Sequence, residues 1–225
     1  MALLHKMRKW LVAFCTIGTL CILLGCDADF SEECGGVGDL VSCLSIDSIQ
    51  PTDSSSGGNT SNVDAFRADC SDDPTAPEPE PFGDHNALIT FSNQQFPRAT
   101  GDTPPTVGGS LAVTILSYSV SYTLNHCPEQ ATGCPALTGF TVSTGPTFTI
   151  PPSGTTSQTF PFVPLRVKEE YSAEGGELFG NLAGFPFPSY SANYVFNART
   201  VDFEDDFQIV GSAEFTIGAF NNCGN

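Results

Sequence analysis

The chain has 225 residues, 25 of them acidic and 8 basic, for a formal net charge of −17 at pH 7. So large a carboxylate excess, with no basic patch to offset it, repels nucleic acid and anionic headgroups, and nucleic-acid binding is excluded. The length suits one domain around one core, and nine cysteines point to an oxidising compartment.

The first ten residues, MALLHKMRKW, carry Lys6, Arg8 and Lys9 and no acid. Leu11 to Leu24 follows as fourteen residues without a charge, short of the ~20 of a spanning helix and within the ~7–15 of the apolar core of a secretory signal. The run ends in Leu23-Leu24-Gly25-Cys26, which resembles the lipobox of bacterial lipoproteins, where the signal is cut before a cysteine that is then acylated. The resemblance implies a signal peptide over residues 1–25, a lipid such as palmitate on Cys26, and a domain held outside the cytoplasm at a membrane of the bacterial cell envelope, inner or outer. Leu24 departs from the pattern, which more often has a small residue there. The alternative is an ordinary cleaved signal with Cys26 as one more disulfide cysteine. Removing Cys15 and Cys21 with the signal leaves seven cysteines, an odd number that strands one thiol. With Cys26 lipidated, the even set Cys34, Cys43, Cys70, Cys127, Cys134 and Cys223 remains, as a disulfide framework requires. This mature chain would hold 5 basic against 25 acidic residues, or −20.

Residues 26–85 are rich in Ser, Gly, Asp and Pro and read as a largely disordered acidic tether, with too little apolar surface to offset the entropy of ordering. Within it Pro51 to Asn62 reads as flexible coil and Pro74 to Gly83 as a stiffer polyproline-like spacer. Only Gly38 to Ile46 is apolar enough for a short local element.

From residue 86 to 225 the texture changes to short runs of Val, Ile, Thr, Tyr and Phe broken by Pro, Gly and Asn, the pattern of an all-β sandwich. The predicted strands are Ala87 to Asn93, Ser110 to Asn125, Gly139 to Thr144, Thr147 to Pro151, Thr156 to Val167, Tyr190 to Val201 and Phe207 to Phe220, with no helix among them. In the second, Leu111, Val113 and Ile115 share one parity and Tyr118, Val120, Tyr122 and Leu124 the other, which predicts a bulge near Leu116 and Ser117. In the last, Phe207, Ile209, Ala213, Phe215 and Ile217 predict a core face. This pattern resembles the immunoglobulin-like and fibronectin type III-like sandwiches of secreted bacterial proteins, without the Cys, Trp, Cys spacing of antibody domains.

Three of the six cysteines lie in the tether and three in or after the β region, so full pairing needs a bridge between them. The connectivity with fewest long closures is Cys34–Cys43, Cys127–Cys134 and Cys70–Cys223. The acidic stretch Asp202, Glu204, Asp205 and Asp206 reads first as a solvated hairpin turn and second as a calcium loop; counted from Asp202, Phe207 and Ala213 stand where an EF-hand needs Gly and Glu. His85 and His126 lack the paired cysteines of a zinc site. Glu169 and Glu170, adjacent in a predicted strand end, would point to opposite faces. No serine-nucleophile, zinc-protease or phosphate-loop motif is present, so no enzyme and no cofactor is expected. The glycine-rich connection from Gly175 to Tyr190 holds Phe179, Phe185, Phe187 and Tyr190. These aromatics cap one end of the core or, facing water, form a binding loop for an envelope protein or carbohydrate partner. The expectation is therefore a membrane-anchored, non-enzymatic structural or binding module. The alternative is an accessory or catalytic protein acting on extracellular polysaccharide.

Overall fold

The computed structural model describes residues 32–37, 40–53, 60–67, 69–71, 73, 75–80, 82–95, 111–129, 133–143, 147–176, 187–201 and 204–220. The leader, Cys26, Phe179, Phe185, Asp202 and Cys223 lie outside the described residues. In chain order the elements are β1 (Glu32–Val37), β2 (Leu40–Asp53), β3 (Asn62–Asp64), β4 (His85–Gln95), β5 (Val113–His126), β6 (Phe140–Val142), β7 (Phe148–Ile150), β8 (Thr155–Val163), α1 (Leu165–Tyr171), β9 (Ser189–Thr200) and β10 (Asp206–Gly218). One π-type turn, Ser172–Gly176, extends α1.

β9 shows how the sequence makes a sheet. Along SYSANYVFNART the even positions Tyr190 to Thr200 are buried, and the odd positions Ser189 to Arg199 look outward. Strict alternation gives the strand one apolar face, and that face must be covered by a second layer. The layers are a sheet of β1, β2, β4 and β8 in that order and a sheet running β3, β10, β9, β5, β6, with β7 also on β5. The fold is an all-β sandwich. Its pairings are antiparallel except for β3, which lies parallel to the end of β10.

Aromatic rings fill much of the space between the sheets. Phe91 of β4 meets Phe196 of β9 edge to face at 5.1 Å, Phe160 of β8 meets Phe196 at 5.1 Å, and Tyr118 of β5 meets Phe160 at 5.1 Å. Such contacts add about 0.5–1.5 kcal/mol each beyond burial. Buried polar groups cross the same gap. Tyr122 and Tyr194, on the second sheet, donate their hydroxyls to the carbonyls of Phe162 and Pro161 in β8, at 2.6 and 2.8 Å. Asn93, on β4, donates Nδ2 to the carbonyls of Leu111 and Pro151 at 2.7 and 3.1 Å, and Ser42 Oγ donates to the Leu111 carbonyl at 2.8 Å. Pro161 costs the ladder nothing, because β8 ends its sheet and a missing N–H is tolerated there.

The predicted phase shift in β5 is a bulge: the register against β9 slips between Ile115 and Ser117. Leu116 is the extra residue, and Ile115 and Tyr118 on either side of it are both buried in the core.

Two expectations need correction. The stretch assigned to a tether contributes strands to the fold, which begins well before residue 86. In β2, Ser42, Cys43, Leu44 and Ile46 are buried and the strand pairs with β4 from Ser42 through Asp53; Val63 of β3 is buried beside β10. Averaged composition hid this, because a strand needs only every second side chain to be apolar and fills the rest with the Ser, Asp and Gln that resemble coil. The predicted strand from Thr156 to Val167 also ends early. Pro164 is extended and caps the start of α1, whose first backbone N–H, that of Leu165, donates to Asp84 Oδ1 at 2.8 Å. Glu169 and Glu170 therefore sit on a helix: Glu169 pairs with Arg67 at 3.4 Å, and Glu170 pairs with Arg166 one turn back.

Candidate functional site

Two places combine chemistry with geometry. The first follows from the β5 bulge. Where Leu116 is extruded the sheets do not close, and a groove of ≈390 Å³ opens between Ile115–Tyr118, Val142 and Phe148 on one side and Gln158–Pro161 of β8 on the other. Among the described residues, none of the ten that line it is charged, in a chain with 25 acids. Its floor is aromatic: the Phe160 ring meets Tyr118 edge to face at 5.1 Å and Phe148 at a tilt at 5.9 Å. Gln158, Thr159 and Ser117 add uncharged polar residues to the lining. An apolar concavity with a few polar groups suits an uncharged or apolar partner. On the outer face Leu116 also borders a second hollow of ≈370 Å³ with Asn197, Asp206 and Gln208.

The second place lies under the stretch from Ala65 to Asp84, which leaves β3, turns back at the Asp69 to Pro79 bridge and returns to β4. It covers α1 with Phe66, whose ring meets Tyr171 at 6.3 Å, and with Phe82, whose ring has both Arg67 Cζ and Lys168 Nζ 5.0 Å from its centre. Lys168 is buried, as are Asp64 and Glu80, each 4 % exposed. Asp64 Oδ1 accepts the backbone N–H groups of Phe66 and Phe220 at 3.2 and 3.1 Å. Burial above all pushes the Asp64 carboxyl up to about 7; the charge of Glu80 adds to this, and the two backbone donors oppose it. Nearby, His85 is fully buried and its Nε2 lies 3.1 Å from the Thr60 carbonyl, which can only accept, so that nitrogen carries the proton.

The residues singled out in the sequence fall into separate places. Tyr190 is 1 % exposed and donates its hydroxyl to the Pro135 carbonyl at 2.7 Å; burial raises it to about 12. Phe187 packs on Phe220 with ring centres 4.6 Å apart and fills the space beside Gly218. These two aromatics thus close the core, the first of the two arrangements expected for the connection, and do not form a water-facing loop. In the acidic hairpin, Thr200 N–H donates to the Asp205 carbonyl at 3.0 Å, and Glu204 takes a left-handed φ of 53°. Asp206 cannot serve as a free calcium ligand, because Arg199 grips both its oxygens at 2.6 and 2.9 Å and holds its carboxyl below the usual range. Among the described residues no three His, Cys, Asp or Glu side chains form a group able to hold a metal.

Cys127 and Cys134 are joined, with Cα atoms 5.8 Å apart. Cys34 stands directly opposite Cys43 in the β1–β2 ladder, and Cys43 and Cys70 are both disulfide-bonded. The proposed partner of Cys70, Cys223, lies outside the described residues.

Sequence reasoning missed Asp64, Glu80 and the groove. The groove had one legible sign, the parity break at Leu116. Among the described residues no helix is long and apolar enough to cross a membrane. No protein-family model, curated protein or solved structure matches the chain.

Proposed function

We propose that the chain is a lipid-anchored, non-enzymatic module of the bacterial cell envelope, fixed through Cys26 and binding an uncharged envelope partner, protein or carbohydrate, along the groove between β5 and β8. The observation that carries the binding role is the groove itself, with its aromatic floor and no charged side chain among its described lining residues. The anchor rests on the charged start, the short apolar run and the Leu23-Leu24-Gly25-Cys26 ending. Action on polysaccharide has less support. Carboxylate catalysis needs an acid pair flanking the bound sugar, whereas no Asp or Glu is among the described residues that line the groove.

Detergent phase partitioning of wild type and Cys26→Ser tests the anchor. The wild type is expected in the detergent phase and the variant in the aqueous phase or uncleaved, and a wild type wholly in the aqueous phase refutes it.

A further inference from the structure

A strand at the end of a sheet offers a row of unused N–H and C=O groups, and proteins blunt such rows by keeping the strand short or by charging it. Four of the edge strands follow this rule. β3, β6 and β7 have three residues each, and β1 carries Glu32 and Glu33. β8 has neither protection. It ends its sheet, spans nine residues without a charged side chain, and among the described residues pairs only with β4. Thr155, Ser157 and Thr159 are exposed along it.

The groove runs along this edge. Its lining takes the consecutive residues Gln158 to Pro161 from β8 and Ile115 to Tyr118 from β5. Successive side chains of a strand point to opposite faces, so neighbours line one hollow together only where it meets the edge of the strand, backbone included. On β5 the groove meets a gap in the ladder: β7 pairs with Val113 to Ile115 and β6 with Tyr118 to Val120, which leaves Leu116 and Ser117 between them. Toward α1 the edge of β8 is closed. Pro161 has no N–H, its carbonyl takes the Tyr194 hydroxyl, and the Phe162 carbonyl takes that of Tyr122. The usable edge is therefore Thr155 to Phe160, with the aromatic floor beside it.

Resting on the groove as the binding site, we infer that its partner is an extended protein segment, which adds a strand to the β8 edge between Thr155 and Phe160 and turns every second side chain onto Tyr118, Phe148 and Phe160. Main-chain hydrogen bonds hold such a segment, and the hollow beside them selects its side chains. Charge sets the rest of its chemistry. No charged side chain is among the described lining residues, while the chain around them carries −17, so the segment is uncharged where it docks and basic at its ends. A second copy would bring −17 against −17, which opposes the pairing of β8 with β8.

The test is amide exchange and chemical-shift mapping of the intact, oxidised protein with synthetic peptides of about eight residues that alternate Thr with Val, Leu or Phe and carry Lys at both ends. The amides from Thr155 to Phe160 that β4 leaves unbonded should gain protection about tenfold or more, and the ring signals of Tyr118, Phe148 and Phe160 should shift. Esters in place of the inner peptide amides keep the side chains and remove the N–H donors. They should weaken binding about a hundredfold, for three bonds lost at roughly fivefold each. Glu in place of the terminal Lys should weaken binding at low salt and not at high salt. Equal binding of the ester peptides leaves the groove as a binding site and overturns strand addition. Groove shifts with the neutral glucan maltoheptaose and with none of the peptides also overturn it, in favour of carbohydrate. Silence with both probes overturns it together with the groove reading. Full protection of Thr155 to Phe160 without any peptide, or a dimer in sedimentation that the peptides dissociate, overturns it as well, because the chain itself or a second copy then holds the edge.

Discussion

Replacing Asn93 by leucine should cost about 2–3 kcal/mol, although Leu keeps the same branched shape and the site is 1 % exposed. From β4 the Asn93 amide reaches the carbonyls of Leu111 and Pro151 at 2.7 and 3.1 Å and that of Ile150 at 3.4 Å, so one side chain fastens the first sheet to the segments leading into β5 and out of β7. Leucine deletes the two good bonds at ~1 kcal/mol each, and imperfect hydration of the carbonyls left behind adds the rest. The total stops there because neither acceptor is orphaned. The Leu111 carbonyl keeps Ser42 Oγ at 2.8 Å, and the Pro151 carbonyl keeps the Gly154 N–H at 3.1 Å. Asn93→Asp should be worse at neutral pH, since it aims a carboxylate at carbonyl oxygens, and should recover in acid as the carboxyl protonates and donates. Urea unfolding of the oxidised protein, read by circular dichroism, measures both. An Asn93→Leu variant within about 0.5 kcal/mol of wild type, or an Asn93→Asp variant whose deficit does not shrink in acid, would refute the view that Asn93 ties the sheets.

Gly218→Ala should destabilise by about 1–3 kcal/mol, because the added Cβ would stand 2.2 Å from Phe187 Cδ1. Adding Phe187→Ala should remove most of that cost, and purely additive losses in a double-mutant cycle would contradict the contact. Converting Cys127 and Cys134 together to serine, which opens a bridge of sequence separation 7, should cost about 2–3 kcal/mol in the same unfolding assay on the chain-entropy account. A loss under about 0.5 kcal/mol would mean that this loop is already ordered without its bridge.

Period-two patterning made the strands from β4 to β10 legible, since burial alternates along β9 and Phe215 and Ile217 of β10 fall on the core side as their parity requires. The same parity carried a sign that went unread. Asn93 continues the series Ala87, Ile89, Phe91, and an amide at a core position needs buried partners. β3 and the second half of β2 were illegible in composition because their polar half matches a tether, while the first half of β2 falls within the Gly38 to Ile46 element. α1 was illegible because seven residues hold too few turns to set a helical period, and only Val167 and Tyr171, four apart, mark its buried side. Asp64 and Glu80 are lone acids in an acidic stretch, and only the fold buries them.

The early start of the fold changes the reach of the anchor. If residues 26–85 were coil, the domain would roam on a leash whose root-mean-square span is about 45 Å and whose full extension is far longer. β1 instead begins at Glu32, six residues after Cys26, and six residues extend at most about 20 Å. A lipid on Cys26 would thus moor the sandwich almost against the headgroups, where its strong negative charge sets its standoff and tilt, and only partners within a domain's width of the bilayer could meet the groove.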